Sequence, residues 1–415
     1  MTFPPIIKHL ATLVSGATVG NVIILAATPL LTRLYAPEEF GELAIFVSIA
    51  GMCGAVLCLR YEQAVFVPKT PRAALLLVTA GLYAVSSLTT LLVFIAGIGL
   101  WATDFENLGG WSLMVPVAGA MLAVYNLLSN WAVRQQHVTQ VAHTRLNRSI
   151  VQVGAQCAAG AGGFGAGGLI FGDVLGRVAG VWALGRLFIS ACSRHSLRPK
   201  RVCVAAHTFR RFPLFAAPGA LINVMVMQGA PVVLALSYSA AAAGLYFLVQ
   251  RIMAAPLALV GQSVAQVLTA ELGRKLAANE AGSFQLFIRA VTWLALIGGV
   301  PIAFLGVFGR SALPALLGPE WAGAEDFLLI MTPFFVGQFV VSPLANFMNA
   351  LGCQTGLLVW DTLRLIIVLP AIVVPASLGL DVEFALASFS LAMLFFYVIL
   401  LVWLGAVLMA RSRTA

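Results

Sequence analysis

The stretch from Asn21 to Tyr35 reads NVIILAATPLLTRLY, and from Asn223 to Ser237 the chain reads NVMVMQGAPVVLALS. Asn21 aligns with Asn223, Val22 with Val224 and Pro29 with Pro231, at a constant offset of 202 in a chain of 415 residues. A second step follows each copy: FGELAIF from Phe40 against AGLYFLV from Ala243, with Gly41 opposite Gly244 at an offset of 203. Both segments are apolar and long enough to be helices that cross a bilayer, which takes about 20 mostly apolar residues. A motif that opens each half of an apolar chain predicts an internal duplication.

Composition agrees. Hydrophobic residues make up 61% of the chain and charged residues 9%, against about 25% charged in soluble globular domains. The chain cannot clothe itself in polar surface, so lipid must be its solvent. Apolar runs predict an all-α integral membrane protein with about twelve spans, near 10–32, 40–59, 74–101, 111–133, 149–166, 168–190, 213–235, 239–266, 286–308, 326–350, 355–377 and 384–409. The glycine-rich AAGAGGFGAGGL at 158–169 separates the fifth from the sixth. The N-terminal run exceeds a signal-peptide core and reads as a retained first span. Six scattered cysteines, none in a CxxC, form neither a disulfide framework nor a zinc site.

Orientation follows from the basic residues. With the N-terminus inside, 17 lysines and arginines fall in inner connections, Arg145 and Arg148 among them, and two, Arg33 and Arg310, fall outside. That asymmetry is the positive-inside pattern. It accounts for the net charge of +9 without a nucleic-acid partner, and it places both termini in the cytoplasm. The basic connection SRHSLRPKRVCVAAHTFRRF at 193–212 reads as a headgroup-facing linker. It divides the chain into an N-terminal six-helix lobe at 1–192 and a C-terminal six-helix lobe at 213–415. Both copies of the motif run from inside to outside, so the lobes are parallel repeats, an architecture of secondary transporters with the substrate path between lobes.

Charges inside the spans are costly and mark candidate sites. Arg251 is the deepest, and at helical spacing Gln262 and Gln266 share its face, giving a polar stripe suited to an anionic, hydroxyl-rich ligand. The alternative is a clamp between helices. Asn21 and Asn223 lie mid-span, and Pro29 and Pro231 loosen the outer halves of their helices. With Arg33, these residues are the substrate-cavity candidates. Asp173 with Arg177, and Asp361 with Arg364, are spaced to pair on one helix and are the coupling or structural ion-pair candidates. Gly172, Gly176 and Gly180 in GDVLGRVAG form a ridge that admits close helix approach. Arg186 and Arg289 sit near inner ends and can snorkel. Arg60 and Glu62 in LRYEQA mark the inner end of span two. No paired catalytic carboxylates, HExxH or P-loop occurs, so the reading is a non-enzyme with no cofactor and no metal.

PLLTRLYAPEEFGELAIF (29–46) followed by LRYEQAVFVPK (59–69) resembles the opening of bacterial polysaccharide-transport proteins, the O-antigen and capsule-unit flippases. GLIFGDVLGRVAG (168–180) resembles their sixth span, and LLGPEWAGAEDFLLIMTPFFVGQFVVSPLANFMNALG (316–352) resembles their second-half signature. That family belongs to a superfamily with multidrug and toxin extrusion transporters and lipid II flippases. The resemblance implies a multi-pass protein of the bacterial inner membrane. It implies transport of undecaprenyl-diphosphate-linked oligosaccharide to the periplasmic leaflet for O-antigen, lipopolysaccharide or exopolysaccharide synthesis. Membrane lipid and a glycan polymerase or other assembly proteins would be its partners. Two other readings remain open: a cation-coupled multidrug exporter, which favours acids and aromatics in its cavity, and a non-transporting membrane scaffold of a glycan-assembly complex.

Overall fold

The computed structural model describes residues 5–102, 111–193, 198–256, 282–351 and 353–414, with isolated positions between 257 and 281. Every regular element among them is helical. The chain forms two compact units, one of residues 1–35 with 42–232 and one of residues 36–41 with 233–415. Among the described residues, eight helices are long and apolar enough to cross a membrane, and Val19–Leu34 and Ala240–Met253 are shorter apolar helices. Each span expected from the sequence coincides with a helix, although the eighth is described only as far as Pro256.

The first unit contains α1 (Pro5–Leu34), most of α2 (Pro37–Leu57), α3 (Tyr61–Ala64), α4 (Pro71–Ala102), α5 (Met114–Arg134), α6 (Val138–Ala161), α7 (Gly165–Cys192) and α8 (Pro199–Thr208). A short π-helical turn at Phe212–Ala216 leads into α9 (Ala217–Ser237), which belongs to this unit as far as Val232. Pro29 and Pro231 both lie inside their helices, as expected. Only 11% of the most apolar window of Pro71–Ile98 is buried. An apolar helix so little covered by protein has lipid as its neighbour.

The ridge Gly172, Gly176 and Gly180 explains the tight packing of α7. A Cβ at Gly172 would lie 2.5 Å from Gln156 Cγ, and one at Gly176 would lie 2.8 Å from Gln152 Cβ, both on α6. At Gly180 it would meet the Tyr125 ring of α5 at 2.9 Å. Without a hydrophobic drive between helices in lipid, such close approach supplies the van der Waals contact that holds them together.

Between α2 and α3 the backbone turns through two consecutive left-handed residues, Leu59 (φ 50) and Arg60 (φ 60). Neither is glycine, so neighbouring structure must impose the turn. Arg134 donates to Val65 O at 2.6 Å and to Pro68 O, and Asn130 donates to Glu62 O at 3.0 Å. Arg60 pairs with Glu62 at 3.2 Å. Tyr61, Leu75, Val78, Leu127 and Trp131 form the apolar core beneath.

The second unit contains α10 (Ala240–Pro256), α11 (Ser283–Leu294), a π-helical turn at Ala295–Gly299, α12 (Val300–Leu317), α13 (Ala324–Ala350), α14 (Gln354–Val368), α15 (Pro370–Ser377) and α16 (Val382–Thr414). It also takes in residues 36–41 at the start of α2. Here the duplicated glycines meet. A Cβ at Gly41 would stand 1.9 Å from Ala240 O, and one at Gly244 would stand 1.9 Å from Pro37 O. Pro37 and Ala240, like Gly41 and Gly244, are 203 apart. The contact is therefore made twice with exchanged partners, as pseudo-two-fold symmetry requires of an isologous contact.

Candidate functional site

In the first unit charged side chains of α6 and α7 gather against α5. Asp173 and Arg177 sit one turn apart on α7, bonded Nε to Oδ2 at 2.6 Å, with side chains 5% and 3% exposed. Arg177 Nη1 also donates to Ala118 O on α5 at 3.2 Å. The expected self-pairing is present, but the pair is not isolated. Arg148 on α6 lies within electrostatic reach of both residues. Its guanidinium stands over the Tyr125 ring, 5.5 Å from the centroid, an attractive cation–π geometry. The Tyr125 and Thr144 hydroxyls are 3.4 Å apart. Two guanidiniums against one carboxylate leave the cluster positively charged.

The same helix continues as a polar strip. Gln156 is fully buried, its side-chain amide donates to Leu169 O at 3.0 Å, and its backbone carbonyl accepts from the Tyr35 hydroxyl at 2.7 Å. A Cβ at Gly20 would lie 2.8 Å from Ser149 Oγ and 3.4 Å from Arg145 O. The turn of α1 carrying Asn21 thus packs at the level of Arg145 and Ser149. Asn21 and Arg33 are exposed on α1, and Asn223 is exposed on α9.

The inner connection expected to carry Arg145 and Arg148 is itself helical where it holds them. Both lie on α6, which starts at Val138, well before the apolar run. The polar opening VTQVAHTRLNRS masked the helix from a hydropathy reading. The spacing Arg145, Arg148, Gln152, Gln156 is helical and was the signal available to find it.

In the second unit, Arg364 and Asp361 on α14 pair at 2.7 Å, and Arg364 is 2% exposed. The guanidinium stacks 4.3 Å over Trp360, whose Nε1 donates to Phe396 O on α16 at 3.2 Å. Tyr397, Phe334 and Phe389 extend the aromatic surroundings. Arg251 is half-buried on α10. Its expected stripe partners Gln262 and Gln266 lie outside the described residues. Arg186 and Arg289 are exposed.

The π-helical turn at Ala295–Gly299 opens an apolar groove of about 540 Å³, bordered by Ile297, Val300, Pro301, Phe304, Leu305 and Phe339. Gly298 is obligatory there, because a Cβ would stand 1.8 Å from the Phe339 ring. Among the described residues, no group of three or more His, Cys, Asp or Glu side chains converges to hold a metal.

Comparison with solved structures shows a shared fold. A lipid II flippase MurJ in an inward closed conformation aligns with TM-score 0.72 at 9% identity, over 96% of this chain and 87% of that one. A multidrug resistance MATE family transporter of the MOP superfamily, inward-facing, aligns with TM-score 0.60 at 12% identity, over 97% and 96%. A MOP superfamily transporter from Pyrococcus furiosus, described as having a binding pocket of reverse polarity, aligns equally well, with TM-score 0.60 at 12% identity over 97% and 96%. These identities establish the membrane-transporter fold and nothing finer. No curated protein is similar enough in sequence to match. The family model described as polysaccharide biosynthesis protein matches residues 30–326, most of the chain, and on that match the chain belongs to the polysaccharide biosynthesis protein family.

Proposed function

We propose that this protein carries an undecaprenyl-diphosphate-linked oligosaccharide across the bacterial inner membrane by alternating access. It would take the glycan from the cytoplasmic to the periplasmic leaflet for O-antigen or related polysaccharide synthesis. The observation that carries the reading is the excess of positive charge packed among the helices of a polysaccharide biosynthesis protein. Arg148 joins the Asp173–Arg177 pair in the first unit, and Arg251 lies half-buried in the second. A guanidinium in lipid is costly unless it meets water, a partner or an anion, and a diphosphate is an anion that it binds through paired hydrogen bonds. Sugar hydroxyls suit the amides Gln152, Gln156, Asn21 and Asn223. The polyprenyl chain needs only apolar surface, of the kind the groove at Ile297–Phe339 presents.

The proposed arrangement has lobes at 1–192 and 213–415 joined by the linker 193–212, with both termini cytoplasmic. Reporter fusions after Arg211 and at the C-terminus should both report cytoplasm. A cation-coupled drug exporter would need intramembrane carboxylates available to cations. Asp173 and Asp361 are instead each engaged by an arginine, which favours the flippase. In a strain lacking the protein, the lipid-linked glycan should accumulate on the inner leaflet. Normal export of every surface glycan in that strain would overturn the proposal.

A further inference from the structure

The chain between α7 and α9 is built as more than a tether. Its helix α8 is fastened to the first unit: Val202 is 4% exposed, and Tyr61 on α3 donates to Ala206 O at 3.3 Å. Ala205, Ala206, Phe209 and Phe212 pack on the core that includes Tyr61, Ala74, Leu75 and Val78. The outward surface of the same segment is cationic. Arg198, Lys200, Arg201, Arg210 and Arg211 are all exposed, and Lys69, just before α4, is exposed at the same end. Residues 193–217 contain no acid. Glu62, the acid of the neighbouring α3, is buried and engaged by Arg60. Large apolar side chains stand exposed beside these charges: Phe66 at 50%, Val204 at 66% and Phe215 at 73%.

Exposed apolar groups beside exposed cations, on a helix lying outside the spans, are the pattern of an interfacial helix. A bias of basic residues set only by membrane insertion requires no docked helix and no exposed phenylalanines beside it. We propose that α8 and its flanks form a binding surface for anionic phospholipid headgroups of the adjoining leaflet, and that these lipids hold α8 against α3 and α4. The phosphates answer the lysines and arginines, while Val204 and Phe215 reach toward the acyl boundary. The inference stands whichever cargo the protein carries.

The test uses the purified full chain in nanodiscs of phosphatidylcholine alone or with phosphatidylglycerol, reading hydrogen exchange over 199–208. Phosphatidylglycerol should slow exchange in this segment and raise the melting temperature by about 2–4 °C. Both effects should disappear at about 1 M salt, where the screening length falls to about 3 Å. The variant Lys200→Gln with Arg201→Gln should lose most of the response while exchange in α6 and α7 stays unchanged. If that variant does not fold, the salt arm on the native chain decides. Equal protection of 199–208 in both lipids, or protection by phosphatidylglycerol that survives high salt, would overturn the proposal.

Discussion

Replacing Gly41 with alanine tests whether the duplicated glycines make a real, two-fold contact. The added methyl would stand 1.9 Å from Ala240 O, whereas ordinary contact begins near 3.4 Å. The two helix starts must therefore part by about 1.5 Å. Overpacking costs about 1–3 kcal/mol where side chains can yield. The obstacle here is a backbone carbonyl inside a helix, so the upper end, about 3 kcal/mol, is expected for Gly41→Ala, and the same for Gly244→Ala against Pro37 O. The two costs should not add. Once the first methyl has separated the helices, the second has room, so the double variant should fall short of the sum by at least about 0.5 kcal/mol, as for sites in one contact. Equilibrium unfolding in mixed micelles measures all three variants. Gly154→Ala on α6 is the control, because nothing lies within 4 Å of its Cβ, and alanine there should be neutral or stabilising by about 0.5–1 kcal/mol. A Gly41→Ala variant within about 0.5 kcal/mol of the parent, or strict additivity of the pair, would refute the reasoning.

Three further outcomes are expected. Asp173→Ala leaves Arg177 and Arg148 facing each other without their carboxylate, and the cost should approach that of breaking a buried pair, about 3–5 kcal/mol. Thermal unfolding measures it, and a loss under about 1 kcal/mol would mean that water reaches the cluster freely. Burial raises the carboxyl of Glu62 above the usual range, and Arg60 only partly offsets this. A raised acid contributes stability that is full below the unfolded value and is lost as pH rises through the folded value. Glu62→Gln should therefore gain stability relative to the parent as pH climbs from about 4.5, the ordinary carboxyl range, and a pH-independent difference between the two melting curves would contradict this. Arg251→Ala should abolish glycan export with the protein still present in the membrane at normal level, and Arg251→Lys should retain part of it because charge survives without the guanidinium fork. Full export by Arg251→Ala would remove Arg251 from the site, and loss of the protein would make it a packing residue.

Much of the fold was legible in the sequence because hydropathy is a strong signal in lipid. The spans followed from apolar runs, the α7 contact from the spacing of Gly172, Gly176 and Gly180, and the repeat from Gly41 opposite Gly244. What escaped had local chemistry at odds with its tertiary setting. The first half of α6 is polar enough to read as a loop, yet it is helical and sets Arg148 over the Tyr125 ring of α5. The left-handed pair Leu59 and Arg60 has no glycine to announce it, and the short helix that follows is held by bonds from Asn130 and Arg134, some 70 residues away. The π-helical turn at Ala295–Gly299 depends on Phe339 filling the space beside Gly298, a pairing that no periodicity within its own helix encodes.

The central claim is that the chain moves a lipid-linked glycan between leaflets. The most direct measurement is translocation of a fluorescent polyprenyl-diphosphate oligosaccharide in proteoliposomes, with the label quenched from outside by a membrane-impermeant reductant. The account predicts that protein-containing vesicles exchange the lipid between leaflets and that Arg251→Ala vesicles do not. Label that stays in its original leaflet despite folded, reconstituted protein, in the presence and absence of an ion gradient, would contradict it.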